Sequence, residues 1–203
     1  MEHTTNRITL RGTLQNLPEF SHENHGKRFY RFMLDVPRLS GTVDTLPVIA
    51  EDRILDSVDL SGGQMLTVNG QIRSHNSKTD GVRHLMIFVF AVTITAEDGE
   101  PINEVYLEGP LCRKPTYRLT PLGREICDAM LAVPRAFRRA DYLPCILWGR
   151  VAQQVSACNT SDVIAIEGRL QSRTYTKLTE VGPQERTAYE ISALKALILE
   201  EDL

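Results

Sequence analysis

Between positions 135 and 177 the chain sets aromatic rings among cations. The rings are Phe137, Tyr142, Trp148 and Tyr175; the cations are Arg135, Arg138, Arg139, Arg150, Arg169, Arg173 and Lys177. This mixture suits a ligand that presents flat faces and phosphates together. Single-stranded nucleic acid does so: its bases stack on aromatics while Lys and Arg track its backbone. Polar neighbours around Tyr142 and Tyr175 predict exposure. Trp148 closes an apolar run, so packing competes with stacking there. Phe137 abuts Arg138 and Arg139, poor surroundings for a core ring. For the arginines, a solvated face is the competing reading.

Other residues tempt without building a site. His22 and His25 flank Glu23 in metal-like spacing, but they lie in a polar, glycine-bounded loop with no third ligand in view, so a surface loop is expected. Neither a G-x-x-x-x-G-K-[ST] phosphate loop nor a G-x-S-x-G elbow occurs. The neighbouring carboxylates Glu51 and Asp52 read as the acidic start of a helix rather than as an acid–base pair. The expectation is a protein without catalytic residues, metal or cofactor.

The formal net charge of −3 hides an asymmetry. Residues 1–100 carry 10 Lys and Arg against 13 Asp and Glu, whereas residues 101–199 carry 13 against 10. The second half is the one expected to meet a polyanion. Cys112, Cys127, Cys145 and Cys158 form no C-x-x-C pair and are not followed by paired histidines, so they read as reduced core thiols rather than zinc ligands. No apolar run is long enough to cross a bilayer. Residues 1–6 lack the charged and apolar regions of a signal peptide, so a cytoplasmic protein is expected.

The rings and cations must be positioned by something, and the chain supplies it twice. Asn6-Arg7-Ile8-Thr9-Leu10-Arg11-Gly12-Thr13-Leu14 and Asn103-Glu104-Val105-Tyr106-Leu107-Glu108-Gly109-Pro110-Leu111 both read N-x-(Ile/Val)-x-Leu-x-Gly-x-Leu, at an offset of 97. The same offset joins Val36-Pro37-Arg38 to Val133-Pro134-Arg135 and Leu46-Pro47 to Leu143-Pro144. It becomes 98 at Gly70 and Gly168. In the second copy, alternation predicts strands over 103–117, 124–133 and 141–148, with a turn at 118–123. Helical spacing follows over 149–157, then strands over 162–175 and 186–199 around a polar loop that contains Gly182-Pro183. Pro47 and Pro144 argue for edge or bulge positions. The first copy repeats the order, with its helix over 54–60. The fold expected is mainly β: two tandem OB-fold five-stranded Greek-key barrels, each with a short helix between strands 3 and 4. Residues 1–98 form the first domain and residues 102–203 the second.

The second copy resembles the bacterial single-stranded DNA-binding proteins. The resemblance rests on Asn103-x-Val105-x-Leu107-x-Gly109-x-Leu111, on Pro115-x-x-Arg118-x-Thr120-x-x-Gly123, on the run Tyr142 to Ala152, on the run Val163 to Tyr175, and on Tyr189-Glu190-Ile191. It implies sequence-tolerant binding of single-stranded DNA in replication, recombination or repair. It puts the family's stacking positions on Phe137, Tyr142, Trp148 and Tyr175. Members with two modules in one chain pair to make four barrels, so a homodimer is implied as well. Typical members end in a long tail with an acidic tip that recruits replication and repair proteins. Here Glu200-Glu201-Asp202-Leu203 follow the last strand almost directly, with the right chemistry but no linker.

The first copy keeps none of the four rings: Ser40, Thr45, Glu51 and Ser77 stand at those positions. It is expected to be a degenerate module that supports assembly with little base stacking. Phe29, Tyr30, Arg28 and Arg31 form an alternative contact strip, with Phe29 and Arg31 on one face and Tyr30 and Phe32 on the other. Two other functions compete with DNA binding. One is a primosome-like relative that binds mainly proteins; the other is a structural OB scaffold.

Overall fold

The structure, a computed structural model, describes residues 4–79, 82–179 and 182–199. The first half runs β1 (Asn6–Leu14), β2 (Glu19–Asn24), β3 (Lys27–Pro37), β4 (Val43–Glu51), helix α1 (Asp52–Leu55), β5 (Met65–Thr79) and β6 (Val82–Ala96). The second runs β7 (Ile102–Pro110), β8 (Thr116–Leu119), β9 (Glu125–Arg135), a 3-10 turn (Ala136–Arg138), β10 (Arg139–Trp148), helix α2 (Gly149–Ser156), β11 (Val163–Thr179) and β12 (Gly182–Leu199). The protein is mainly β. Its strands join into one sheet in the order β2-β3-β4-β6-β5-β1-β7-β11-β12-β10-β9-β8.

Alternation in the sequence becomes alternation of burial. On β10, Asp141, Leu143, Cys145 and Leu147 point into the core, while Tyr142, Pro144, Ile146 and Trp148 share the outer face. Each half closes on itself where its first strand meets its third: Thr13 pairs with Asp35, and Leu111 bridges Leu131. Gly12 and Gly109 make that crossing possible, because a Cβ on either would strike the carbonyl of Asp35 or of Ala132. One apolar cluster fills both halves, from Leu10, Phe32, Leu46 and Val68 to Leu107, Leu131, Leu147 and Ile166. Ala152 and Val155 of α2 close it at one end. All four cysteines are free; burial raises the thiol of Cys127 to about 11, and that of Cys145 higher still.

The halves are joined by β1 and β7, which pair antiparallel from Asn6 opposite Leu107 to Arg11 opposite Ile102. Side chains repeat the two-fold relation. The Asn6 amide bonds both backbone groups of Ile72, and Asn103 does the same to Leu170. Such paired amides, buried at Asn6 and partly buried at Asn103, hold register without leaving a polar group orphaned.

Several sequence expectations change. Each half has six strands rather than five, because β2 and β8 add a short strand at either end of the sheet, and each helix follows the fourth strand. The helix expected over 54–60 is only Asp52–Leu55; the Ser57 hydroxyl donates to the Ile54 carbonyl and competes with the helical ladder. The strand expected over 103–117 stops at Pro110, which has no N–H to extend the pairing. Gly182 and Pro183 lie in β12 rather than in a loop, with Thr179 opposite Gly182. That hairpin projects beyond the core, so residues 173–178 are exposed on both faces and the polar composition imitates a loop. Pro47 and Pro144 are on interior strands. Each precedes the short parallel contact of its strand, Val48 with Val89 and Cys145 with Ile191, where a missing N–H costs no ladder bond. Residues 200–203, the acidic end, lie outside the described residues. Among the described residues no helix is long and apolar enough to cross a membrane.

Candidate nucleic-acid interface

Three of the predicted rings, Tyr142, Trp148 and Tyr175, lie on one outer face. Tyr142 and Trp148 share it on β10, six residues and roughly 20 Å apart at about 3.3 Å per residue. On β11 the alternating residues Arg169, Gln171, Arg173, Tyr175 and Lys177 share a face, and Arg169 is opposite Ser192 of β12. The Trp148 indole N–H donates to the Ser192 hydroxyl at 3.1 Å, which ties the β10 face to the β11–β12 face. Because β10 and β12 run parallel with Cys145 level with Ile191, Tyr142 lies towards the same end as Arg173 and Tyr175. Trp148 and Arg169 mark the other end.

Exposure separates the rings. Phe137 is 93% exposed, Tyr142 48% and Tyr175 38%, while Trp148 is half-buried. Phe137 and Arg138 have φ of 60° and 55°, two consecutive left-handed residues without glycine. Such backbone costs on the order of 1–3 kcal/mol per residue and collects at functional sites. The turn holds an apolar ring in water beside an arginine, at the Tyr142 end of the face.

The cations divide. Arg138, Arg139, Arg150 and Lys177 are exposed. Arg173 lies over the Tyr175 ring at 5.5 Å and 3.6 Å from Glu190, whose carboxylate also accepts from Gln171. Arg135 instead turns to the buried Asp141 at 3.4 Å, and burial, then neighbouring Arg73, holds its guanidinium below the ordinary value. Arg169 lies in a shallow depression of about 310 Å³ with Arg124, Trp148, Ser192 and Leu194. Its Nε–H is cut off from water and has no hydrogen-bond partner among the described residues. An unpaired buried donor is costly until an acceptor arrives. A second depression of about 370 Å³, lined by Arg113, Thr116, Pro144, Ile146 and Glu190, lies further along the same strands.

Sequence reasoning missed Arg113 and Arg124. They come to the face only because β9 places Ile126 opposite Trp148 and Met130 opposite Pro144. It also missed the first half's contribution. The Ser74 hydroxyl accepts the Tyr142 N–H at 2.8 Å, and the Ser74 N–H and Arg73 guanidinium both donate to Asp141, at 2.8 and 3.0 Å. The arrangement is reciprocal: Asp44 accepts from Arg38 at 2.7 and 2.6 Å and from the Ser172 N–H at 2.7 Å. Burial alone would raise the Asp44 carboxyl, but the bonds from Arg38 and Ser172 outweigh it and hold it low. The repeat at offsets 97 and 98 was the available signal, since it pairs Asp44 with Asp141 and Ser74 with Ser172.

In the first half, Ser40, Thr45, Glu51 and Ser77 supply no rings at the matching places, and Glu51 is held between Lys27 and Arg53. The tempting histidines are occupied otherwise. His22 stacks on Phe29 at 4.9 Å, and His25 takes the left-handed first place of the β2–β3 turn. Among the described residues no group of three His, Cys, Asp or Glu is placed to hold a metal ion.

The chain is similar to known proteins. The sequence profile of the single-strand binding protein family matches residues 102–199. Single-stranded DNA-binding protein B of Bacillus subtilis is 34% identical over 80 residues, which cover 36% of this chain and 71% of that protein. Single-stranded DNA-binding protein 1 of Staphylococcus aureus is 38% identical over 81 residues; the match spans 36% of this chain but only about half, 48%, of that relative. The crystal structure of wild-type single-stranded DNA binding protein from Thermus aquaticus superposes with a TM-score of 0.80, over 98% of this chain and 94% of that one, at 23% identity. That likeness concerns the fold alone. A deletion mutant of the same protein superposes with a TM-score of 0.77 at 25% identity, covering 98% of this chain and 96% of that one.

Proposed function

This chain belongs to the single-strand binding protein family, and we propose that it binds single-stranded DNA without performing chemistry on it, through the outer face of its second half. One observation carries the reading: Tyr142, Trp148, Arg169, Arg173 and Tyr175 come from two strands that are far apart in sequence, yet they share one face. Bases stack on Phe137, Tyr142, Trp148 and Tyr175. Phosphates meet Arg138, Arg139, Arg150, Arg169, Arg173 and Lys177, and an anionic oxygen satisfies the orphan Nε–H of Arg169. Arg135 contributes through the field it shares with Arg73 around Asp141. Every base has a π face, so binding tolerates sequence, and counterion release makes it weaken with salt. Replication, recombination and repair expose such strands, and the cytoplasm is the place of action.

Each half is an OB-type barrel, residues 1–98 and 102–203, with a short helix on the path from the barrel's front strands to its last hairpin. Closure of the first strand on the third in both halves supports this. A homodimer carrying four barrels is the assembly. It is favoured by Val92 and Leu194, each the unpaired residue of the bulge in the last strand of its half, which are 56% and 63% exposed.

Trp148 is the only tryptophan, so its fluorescence reports on this face alone. Titration with oligo-dT at low and moderate salt should give strong quenching that weakens as salt rises. Unchanged fluorescence together with no shift in a native gel would refute the proposal.

A further inference from the structure

The rings missing from the first half's stacking positions have neighbours that fill the same face. On β6, Ile87, Val89 and Ala91 point into the core, so His84, Met86, Phe88 and Phe90 lie on the outer face, opposite Ser77, His75, Arg73 and Gln71 of β5. In the second half, Ser192 and Glu190 stand where Phe90 and Phe88 do, relative to the bulges at Gly70 and Gly168. Phe29 on β3 touches Phe90 over β4, with ring centroids 6.0 Å apart. The patch is the one that the Trp148 indole covers on Ser192 in the second half.

These groups form a band across the first half. His22 stacks on Phe29 at 4.9 Å, Phe29 meets Phe90 at 6.0 Å, and the Arg73 guanidinium lies 6.0 Å from the Phe90 ring centroid. Arg73 then reaches Asp141 at 3.0 Å, and the next residue, Ser74, holds the Tyr142 N–H at 2.8 Å. The band therefore runs from the sheet's edge strand to the backbone of a stacking residue in the other half. His22, His75 and Met86 are exposed along it, and Phe88 and Phe90 are half-buried. Planar and polarisable groups on an outer face, where most positions in a soluble protein are polar, suit a ligand with flat faces of its own.

We infer that the first half carries a second single-strand contact face, built on Phe88, Phe90, Met86, His75 and His22, which receives the strand that passes over Tyr142. This inference rests on the reading of the second half as a single-stranded DNA-binding face. The relocated face is poorer in free cations: Arg73 is tied to Asp141 and Lys27 to Glu51, which leaves the exposed Arg31 beside Phe29 on β3. It contributes stacking more than phosphate contact, so its share of the affinity survives salt better than the share of the second half.

The test uses the full chain and two lengths of oligo-dT. One is about 8 nucleotides, within the roughly 4–16 that one such module spans, and the other is about 35, long enough for two. Trp148 quenching follows the second half, and polarisation of a dye on the strand follows total binding. Phe88→Ala is the direct variant. Met86→Glu, at an exposed position where folding is not in question, is the safeguard. Each should weaken long-strand binding about tenfold and leave Trp148 quenching by the short strand unchanged. Undiminished affinity for the long strand in both variants would overturn the inference while leaving the second-half reading intact. If the unaltered chain bound neither length, that reading would fall first, and this inference with it.

Discussion

Where the second half carries Trp148 and Tyr175, the first carries Glu51 and Ser77; where the second carries Asp141 and Asn103, the first carries Asp44 and Asn6. The two pairs that differ here lie on the outer face. Those that match either cross between the halves, as Asp44 does to Ser172 and Asp141 to Ser74, or pin one strand to its neighbour. Two requirements have thus been separated in one chain. Docking the halves needs a buried carboxylate in each, fully paired because an unpaired one would be far costlier. The proposed ligand contact needs rings, and these stand on β10 and β11 in the second half and on β3 and β6 in the first.

This division can be broken at its strongest point first. Asp141→Ala removes the acceptor shared by Arg73, Arg135 and Ser74 and should cost about 3 kcal/mol of stability in urea unfolding, with Asp44→Ala costing a similar amount. Markedly unequal losses would show that the two docking clusters are not equivalent. The rings come next. Tyr142→Ala, Trp148→Ala and Tyr175→Ala should each lose about 1–3 kcal/mol of oligo-dT affinity by polarisation, and the matching changes Thr45→Ala and Ser77→Ala should lose none. A loss at Ser77 equal to that at Tyr175 would erase the distinction between the halves.

Phe137→Gly sharpens the comparison from another side. Its left-handed φ is one that glycine adopts freely, so the variant should gain about 1 kcal/mol in thermal stability while binding oligo-dT more weakly. The first half has no such trade, because Ser40 is not left-handed. The smallest effect is an acid one. The folded-state pKa of Asp44 is depressed, so its stabilisation is complete above the ordinary carboxyl value of 3.8 and is lost as pH falls through the lower folded value. Asp44→Asn should therefore flatten the acid limb of a stability-against-pH curve measured by urea unfolding, relative to the unaltered chain.

The repeat made much of this legible beforehand. Offsets of 97 and 98 located both halves, their shared N-x-(Ile/Val)-x-Leu-x-Gly-x-Leu strand and the crossing glycines. Alternation predicted which residues of β9 and β10 enter the core. The extent of the β11–β12 hairpin was not legible, because a ladder exposed on both faces has no apolar period to read. Nor was the pairing of Arg135 with Asp141. That depends on Asp141 being buried against the other half, a contact between positions that periodicity treats separately. Arg113 and Arg124 escaped for the same reason: pairing across strands, not spacing along one, brings them beside Ile146 and Trp148.

The antiparallel seam of β1 and β7 has an evolutionary consequence. In a symmetric assembly of identical subunits every substitution appears in each subunit at once, so no surface can be reshaped in one copy alone. Joining two copies covalently, with their association sealed by main-chain bonds from Asn6 to Arg11, lifts that restriction. Each copy is free to drift wherever it does not touch the other. An acidic Glu51 at the position that Trp148 takes in the other copy is an inequality that a homodimer of single modules could never encode.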